Sequence, residues 1–283
     1  MSNHPHLLIT PKALAAAIDR GEAPLIIDLR PAEVFAAGHV PEAVHLDLWG
    51  VSLIDTDEAP LRAFMWMIGH LFGLRGVTQD RPVVVYEGDS GMRAARAFWF
   101  LEYLGHPNVR VLDGGFTAWT RAHLKVTTDL VAPSPSSWHG TADPSKLATW
   151  RHVRDRLGHA GTAILDTRSD EEYYGEAVRA KRAGAIPGAV HLEWKHNLEP
   201  DGTFKSAIDL AAMYHAVGIT PDREIVTYCQ GGYRAAHAYL ALRLIGFPHV
   251  RNYTGSWKEW GDRDDVPVEV TKRLQEGPRQ VRT

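Results

Sequence analysis

The chain of 283 residues holds a single cysteine. That excludes an internal disulfide and any metal site built on two thiolates, and it fits a reducing compartment, so a cytoplasmic setting is expected. Excess charge of either sign is also scarce. Its 31 Lys and Arg against 34 Asp and Glu leave a net charge of −3, which gives no footprint for nucleic acid or a membrane surface. No apolar run is long enough to span a bilayer: Ala63 to Leu74, the longest, is interrupted by Gly69 and His70 and reads as an amphipathic helix. The opening MSNHPHLLITPKAL lacks a charged segment followed by an apolar core, so no signal peptide is expected. The 15 histidines show no HExxH or paired spacing, and neither a metal nor another cofactor is expected.

What is present is an ordinary globular composition, 45% hydrophobic, in a length suited to two domains. The cysteine lies in the stretch Tyr228-Cys229-Gln230-Gly231-Gly232-Tyr233-Arg234. Before it, Glu224-Ile225-Val226-Thr227 is apolar and β-branched and reads as a buried parallel strand. After it, Ala235 to Leu244 is alanine-rich with spaced leucines and reads as a helix. A thiol at such a turn sits beside the unpaired N–H groups and positive dipole end of the helix, and two glycines let the loop curl its amides inward. This cradle binds anions and favours a thiolate. Arg234 adds a planar fork of cationic donors. A lone cysteine is more often a small buried hydrophobe. Here the neighbours are poor core composition, so Cys229 reads as a nucleophile and Gln230, Gly231, Gly232, Tyr233 and Arg234 as its anion-binding surround.

The chain repeats itself. LIIDLRPAEVFAAGHVPEAVHLDL (Leu25 to Leu48) returns as AILDTRSDEEYYGEAVRAKRAGAIPGAVHLEW (Ala163 to Trp194), with Asp28 and Arg30 matching Asp166 and Arg168, and eight extra residues within Gly175 to Arg182. Val83 to Trp119 likewise returns as Ile225 to Trp260, with Tyr86 matching Tyr228 and Arg93 matching Arg234. Glu87 occupies the cysteine position in the first copy, so only the second can do thiol chemistry. Each copy reads as four short apolar strands alternating with four helices, which implies an α/β fold: two domains, each a parallel sheet with helices on both faces and a pocket at the carboxyl ends of its strands. The Pro- and Ser-rich run Thr127 to Ser145 reads as a linker. The expected division is 1–126, a linker over 127–144, and 145–283, with Asp143-Pro144 opening a helix from Ser145 to Leu157 and a tail that frays after Pro267.

The duplicated frame, the DxR strand ends, AIPGAVHL, the cysteine loop and the NYTGSWKEWGD ending together resemble the tandem-domain rhodanese family of sulfurtransferases, over about Leu7 to Pro267. The resemblance implies two rhodanese-like domains, the first catalytically silent. It also implies a reaction in which Cys229 takes the outer sulfur of an anionic donor, carries it as a persulfide, and yields it to cyanide or an external thiol. With no second cysteine the acceptor must come from outside the chain. The donor is expected to be thiosulfate, with 3-mercaptopyruvate as the alternative, because CQGGYR matches neither the CRKGVT nor the CGSGVT loop. Where animal members carry a substrate arginine, this chain has Glu172, so the donor's charge is assigned to Arg234, Arg168 and Arg182, with Arg179 and Lys181 nearby. Cys229 and Arg234 are separated by one residue fewer than in cysteine phosphatases of related fold, which disfavours phosphate chemistry. A non-catalytic binding module is the remaining alternative, and the presence of Cys229 argues against it.

Other candidates read as structural. Asp166 and Arg168 recur in the silent copy, and so does His191, as His45. His237 aligns with Arg96, and neither histidine reads as a base for the thiol. Tyr233 either shapes the pocket or packs on Trp257, and Trp194 reads as a wall or core residue.

Overall fold

The computed structural model describes residues 5–271, so most of the tail expected to fray lies outside the described residues. Each copy of the repeat forms one five-stranded parallel sheet. In the first, β1 (Leu8–Ile9), β2 (Leu25–Asp28), β3 (Ala43–His45), β4 (Val83–Tyr86) and β5 (Val109–Leu112) stand in the order β1-β5-β4-β2-β3. In the second, β6 (Leu147–Ala148), β7 (Thr162–Asp166), β8 (Val190–His191), β9 (Glu224–Tyr228) and β10 (Val250–Tyr253) stand in the order β6-β10-β9-β7-β8. The strands alternate with α1 (Pro11–Asp19), α2 (Ala32–Ala37), α3 (Glu58–Leu74), α4 (Met92–Tyr103) and α5 (Gly115–Arg121), then α6 (Trp150–Asp155), α7 (Asp170–Tyr173), α8 (Ala207–Ala216), α9 (Tyr233–Leu244) and α10 (Ser256–Trp260). The central strands β4 and β9 are covered on both faces, which is why VVVY and IVTY are unbroken apolar runs rather than alternations.

Among the described residues each domain thus has five strands and five α-helices, one more of each than the expected four. The edge strands β1 and β6 have only two residues each, too short to show a period. β6 also corrects the helix expected over Ser145 to Leu157. Asp143 caps a single 3-10 turn, Leu147 and Ala148 are buried and pair with Asn252 and Tyr253, and the helix waits for Thr149, whose hydroxyl accepts the His152 N–H at 3.2 Å. From the single Thr127 bridge to His39 up to Asp143 the expected linker forms no helix or strand, yet it is docked: Ser136 N–H donates to Gly73 O at 2.8 Å and the Trp138 indole donates to Gln79 at 3.0 Å.

The domains meet through α4 and α9. Both helices are rich in buried alanine, Ala94, Ala95 and Ala97 in α4 and Ala235, Ala236, Ala238 and Ala241 in α9, which suits close approach, and both are apolar around most of their circumference because both are buried. One core cluster accordingly contains residues of both domains, from Phe98 and Trp99 to Tyr239 and Leu240. Polar ties reinforce it. Thr56 N–H donates to Glu259 at 2.5 Å, Arg243 pairs with Glu102 at 2.9 Å, and Tyr239 OH donates to the same Glu102.

The two DxR strand ends form one repeated device. Arg30 bonds Asp28 and the Gly38 carbonyl, and Tyr86 OH donates to Asp28 at 2.6 Å. Arg168 bonds Asp166 and the Gly184 carbonyl, and Tyr228 OH donates to Asp166. Each triad joins two adjacent strands to the loop that follows.

Candidate active site

β9 ends at Tyr228, and the chain turns through Cys229 to Gly232 into α9. Gly232 makes the turn with φ of 84°, and a Cβ there would stand 2.8 Å from Thr254 O, so only glycine fits. The turn is held to the start of α10 by Trp257 N–H on Cys229 O and Lys258 N–H on Gln230 O, both 2.9 Å, and by Cys229 N–H on Ser256 Oγ at 3.1 Å. Cys229 is 1% exposed, and its Sγ accepts the Gly232 N–H at 3.2 Å, with Ser256 Oγ 4.0 Å away. A sulfur held by a loop amide at the first turn of a twelve-residue helix lies where negative charge is stabilised. Gly231 leaves open space above the loop, since a Cβ there would touch nothing within 4 Å.

Glu87 stands at the matching point of the first domain, and its carboxylate accepts the Arg93 and Ala94 amides at 2.5 and 3.0 Å. The same two loop-to-helix bonds recur, Phe116 N–H on Glu87 O and Thr117 N–H on Gly88 O. The first cradle is therefore filled by a carboxyl group of its own. Burial pushes the Glu87 carboxyl up to about 7 despite the two amides.

The surrounding side chains divide in a way the sequence did not show. Arg234, expected to face the donor, is instead met by Glu172 in a fork, Nη1–Oε2 at 2.5 Å and Nη2–Oε1 at 2.9 Å. Burial alone would raise the Glu172 carboxyl, but Arg234 holds it down at about 2. Arg179 lies 3.6 Å from the same carboxylate and is 64% exposed. Arg168 and Arg182, also expected at the donor, have their guanidinium groups elsewhere. Arg168 is bound to Asp166 and the Gly184 carbonyl, 4.5 Å from the centre of the Trp257 ring, and Arg182 donates to the carbonyls of Trp260, Gly261 and Val266. Gln230 donates to Arg179 O at 2.8 Å, bracing the inserted segment against the loop. Lys181 N–H is bound to Asp262.

Tyr233 turns toward the first domain rather than Trp257: its ring packs on Trp49 at 5.0 Å, its OH donates to Leu48 O, and it accepts Gly50 N–H, each bond at 3.0 Å. His191 bonds Arg168 O at 2.9 Å; His237 bonds Ser90 O at 2.8 Å and Asn197 at 3.2 Å. Burial lowers His237 to about 4, so it is neutral at pH 7. Neither histidine partners the sulfur. Trp194 sets its edge on His237 at 4.9 Å.

Residues 10–122 and 149–263 each match the description of a rhodanese-like domain. The chain belongs to the rhodanese-like family. Among curated relatives of this rhodanese, the thiosulfate sulfurtransferase of Azotobacter vinelandii is 36% identical over 264 residues, covering 93% of this chain and 97% of that one. The thiosulfate sulfurtransferase of Pseudomonas aeruginosa is 35% identical with the same coverage. The sulfur carrier protein TtuD of Thermus thermophilus is 36% identical over 83% of this chain and 86% of its own. Among solved structures, the anaerobic ergothioneine biosynthesis enzyme from Chlorobium limicola superposes with a TM-score of 0.82 at 22% identity, over 95% of this chain and 71% of that one, a likeness of fold.

Two residues that frame the rhodanese loop carried no sequence signal of their own. Ser256 has φ of 53°, a strained value for a non-glycine residue, and reads in sequence as part of a small-residue turn. Arg96 enters the sequence reading only as the counterpart of His237. It lies inside the otherwise apolar AARAFWF of a helix that aligns with α9, a burial that its charge alone does not announce.

Proposed function

We propose that this rhodanese is a sulfurtransferase that moves the outer sulfur of thiosulfate to a thiophilic acceptor, cyanide or a cellular thiol, through a persulfide on Cys229. The observation that carries the reading is the Cys229 sulfur, held by the Gly232 amide in the one of two matching cradles that its own carboxylate does not fill. Relatives named thiosulfate sulfurtransferase over nearly the whole chain support the choice of donor. In the first step the thiolate attacks the outer sulfur of thiosulfate; the Cys229 S–S bond forms, the S–S bond of the donor breaks, and its electron pair leaves with sulfite. In the second the acceptor attacks the outer sulfur of the persulfide, which regenerates the thiolate and gives thiocyanate from cyanide. The negative outer sulfur of the persulfide needs donors near the place Sγ now occupies, and the loop amides at the start of α9 supply them.

Residues 1–126 act as a silent domain, 127–144 as a linker and 145–283 as the catalytic domain. The reaction needs no cofactor, and the single cysteine is consistent with the cytoplasm. Among the described residues no helix is long and apolar enough to cross a membrane. A phosphatase reading loses support because Arg234, the residue that would fork a phosphate, is already forked by Glu172.

Initial rates of thiocyanate formation, measured across a grid of thiosulfate and cyanide concentrations, test the proposal. Parallel double-reciprocal lines are expected for a two-step transfer. Intersecting lines would deny the covalent intermediate, and turnover with 3-mercaptopyruvate but not thiosulfate would replace the donor.

A further inference from the structure

We infer that Ser256 is a positioning residue for Cys229, holding the amide of the cysteine so that its sulfur stays on the Gly232 N–H. The two copies of the repeat pass this point with the same backbone and different residues. Gly115 of the first domain has φ of 55°, and Ser256, at the matching place in the second, has φ of 53°. Glycine adopts that conformation freely, whereas serine is strained by it, and such strain persists only where the surroundings enforce it. The copy that has the cysteine is the copy that carries a side chain here.

The difference is one of room. A Cβ on Gly115 would stand 2.5 Å from the carbonyl oxygens of Glu87 and Asp89, so the first-domain loop leaves no place for a side chain. The Cys229 loop is one residue shorter, and the fully buried Ser256 side chain lies against it. Ser256 Oγ accepts the Cys229 N–H at 3.1 Å, donates to Tyr253 O at 2.7 Å and lies 4.0 Å from Sγ. The hydroxyl thus ties the cysteine to the end of β10. The Cys229 carbonyl is fixed separately, by Trp257 N–H at 2.9 Å. With its N–H and its C=O both anchored at the start of α10, the cysteine presents its sulfur to the Gly232 amide at 3.2 Å. Without the hydroxyl, the Cys229 N–H becomes a buried donor with no partner, and the loop gains free energy by turning to satisfy it.

The inference rests on Cys229 being the reacting thiol. Two variants of the full chain separate the hydroxyl from the backbone strain: Ser256→Ala loses the hydroxyl and keeps the strain, and Ser256→Gly loses both. Thiocyanate formation, thermal melting and amide hydrogen exchange followed by NMR are measured in each. The glycine variant is expected to melt about 2–4 °C above the alanine variant, because its backbone is relieved. Both should nonetheless lower kcat and kcat/KM for thiosulfate alike, each about tenfold. In both, the Cys229 amide should exchange about tenfold faster than in the parent, with the amides of β9 as the internal reference. A role confined to stability would return turnover along with the melting temperature, so a glycine variant that turns over like the parent overturns the inference. A Cys229 amide protected equally in all three proteins overturns it as well. A parent chain that takes no sulfur from thiosulfate would fault the functional reading instead, and the exchange rates would still decide whether Ser256 holds the cysteine.

Discussion

Replacing Glu172 with glutamine removes the carboxylate that Arg234 grips through two bonds. The Glu172 side chain is 2% exposed and that of Arg234 16%, so the guanidinium stays buried without its counter-charge. Removing one partner of a buried pair costs roughly 3–5 kcal/mol. The glutamine oxygen can still accept one of the bonds, which points to the low end, about 3 kcal/mol, or a fall of about 6–12 °C in Tm. The pH dependence gives an independent figure. Arg234 holds the carboxyl at about 2 against its ordinary 4.5. The folded pKa lies below the unfolded one, so the stabilisation is complete above pH 4.5 and is lost as pH falls toward 2. That interval also corresponds to about 3 kcal/mol. Thermal melts of parent and variant between pH 7 and 3 should therefore differ most near neutrality and converge in acid. A variant that melts within about 2 °C of the parent at pH 7, or a difference that persists undiminished at pH 3, would refute this account of the pair.

Three further outcomes follow from the same geometry. Gly232→Ala forces a Cβ against Thr254 at a φ of 84°, so it should cost about 1–3 kcal/mol and lower the transfer rate by an order of magnitude or more through misplaced loop amides; parent-like melting and turnover would contradict it. Glu87 has its folded pKa raised from 4.5 to about 7, so it contributes full stability below pH 4.5 and loses about 3 kcal/mol as pH rises through 7; urea titrations from pH 5 to 8 should show a decline that Glu87→Gln abolishes, and an equal slope in both proteins would sink the assignment. Deleting residues 1–126 uncovers the α9 face that carries Tyr239 and Leu240, and the fragment should aggregate; a soluble, fully active second domain would show that the first is dispensable.

The strand, loop and helix around Cys229 were legible because each left a local mark: a β-branched run, two glycines and an alanine-rich segment. The internal repeat gave the paired parallel sheets in the same way, by matching residues that do the same work twice. Comparing the copies also marked the DxR pair as mainly structural, and the bonds of Arg30 and Arg168 form the same strand-end clamp nearly atom for atom. What stayed hidden depends on distance along the chain. Glu172 and Arg234 are 62 residues apart and meet only once the sheet is formed, so Arg234 read as a free cation. Arg182 read as a donor-binding charge because its three carbonyl partners lie near the end of the second domain. Arg96 is buried by a helix of the other domain, a fact that no local pattern carries. The two-residue edge strands fall below the length at which any period can be seen.

The central claim is that Cys229 carries sulfur. Intact mass of the full chain after incubation with thiosulfate, and again after added cyanide, tests it most directly, with Cys229→Ser beside it. The account predicts a gain of one sulfur atom that cyanide removes and the serine variant never acquires. No gain in the parent chain, or an equal gain in the variant, would contradict it.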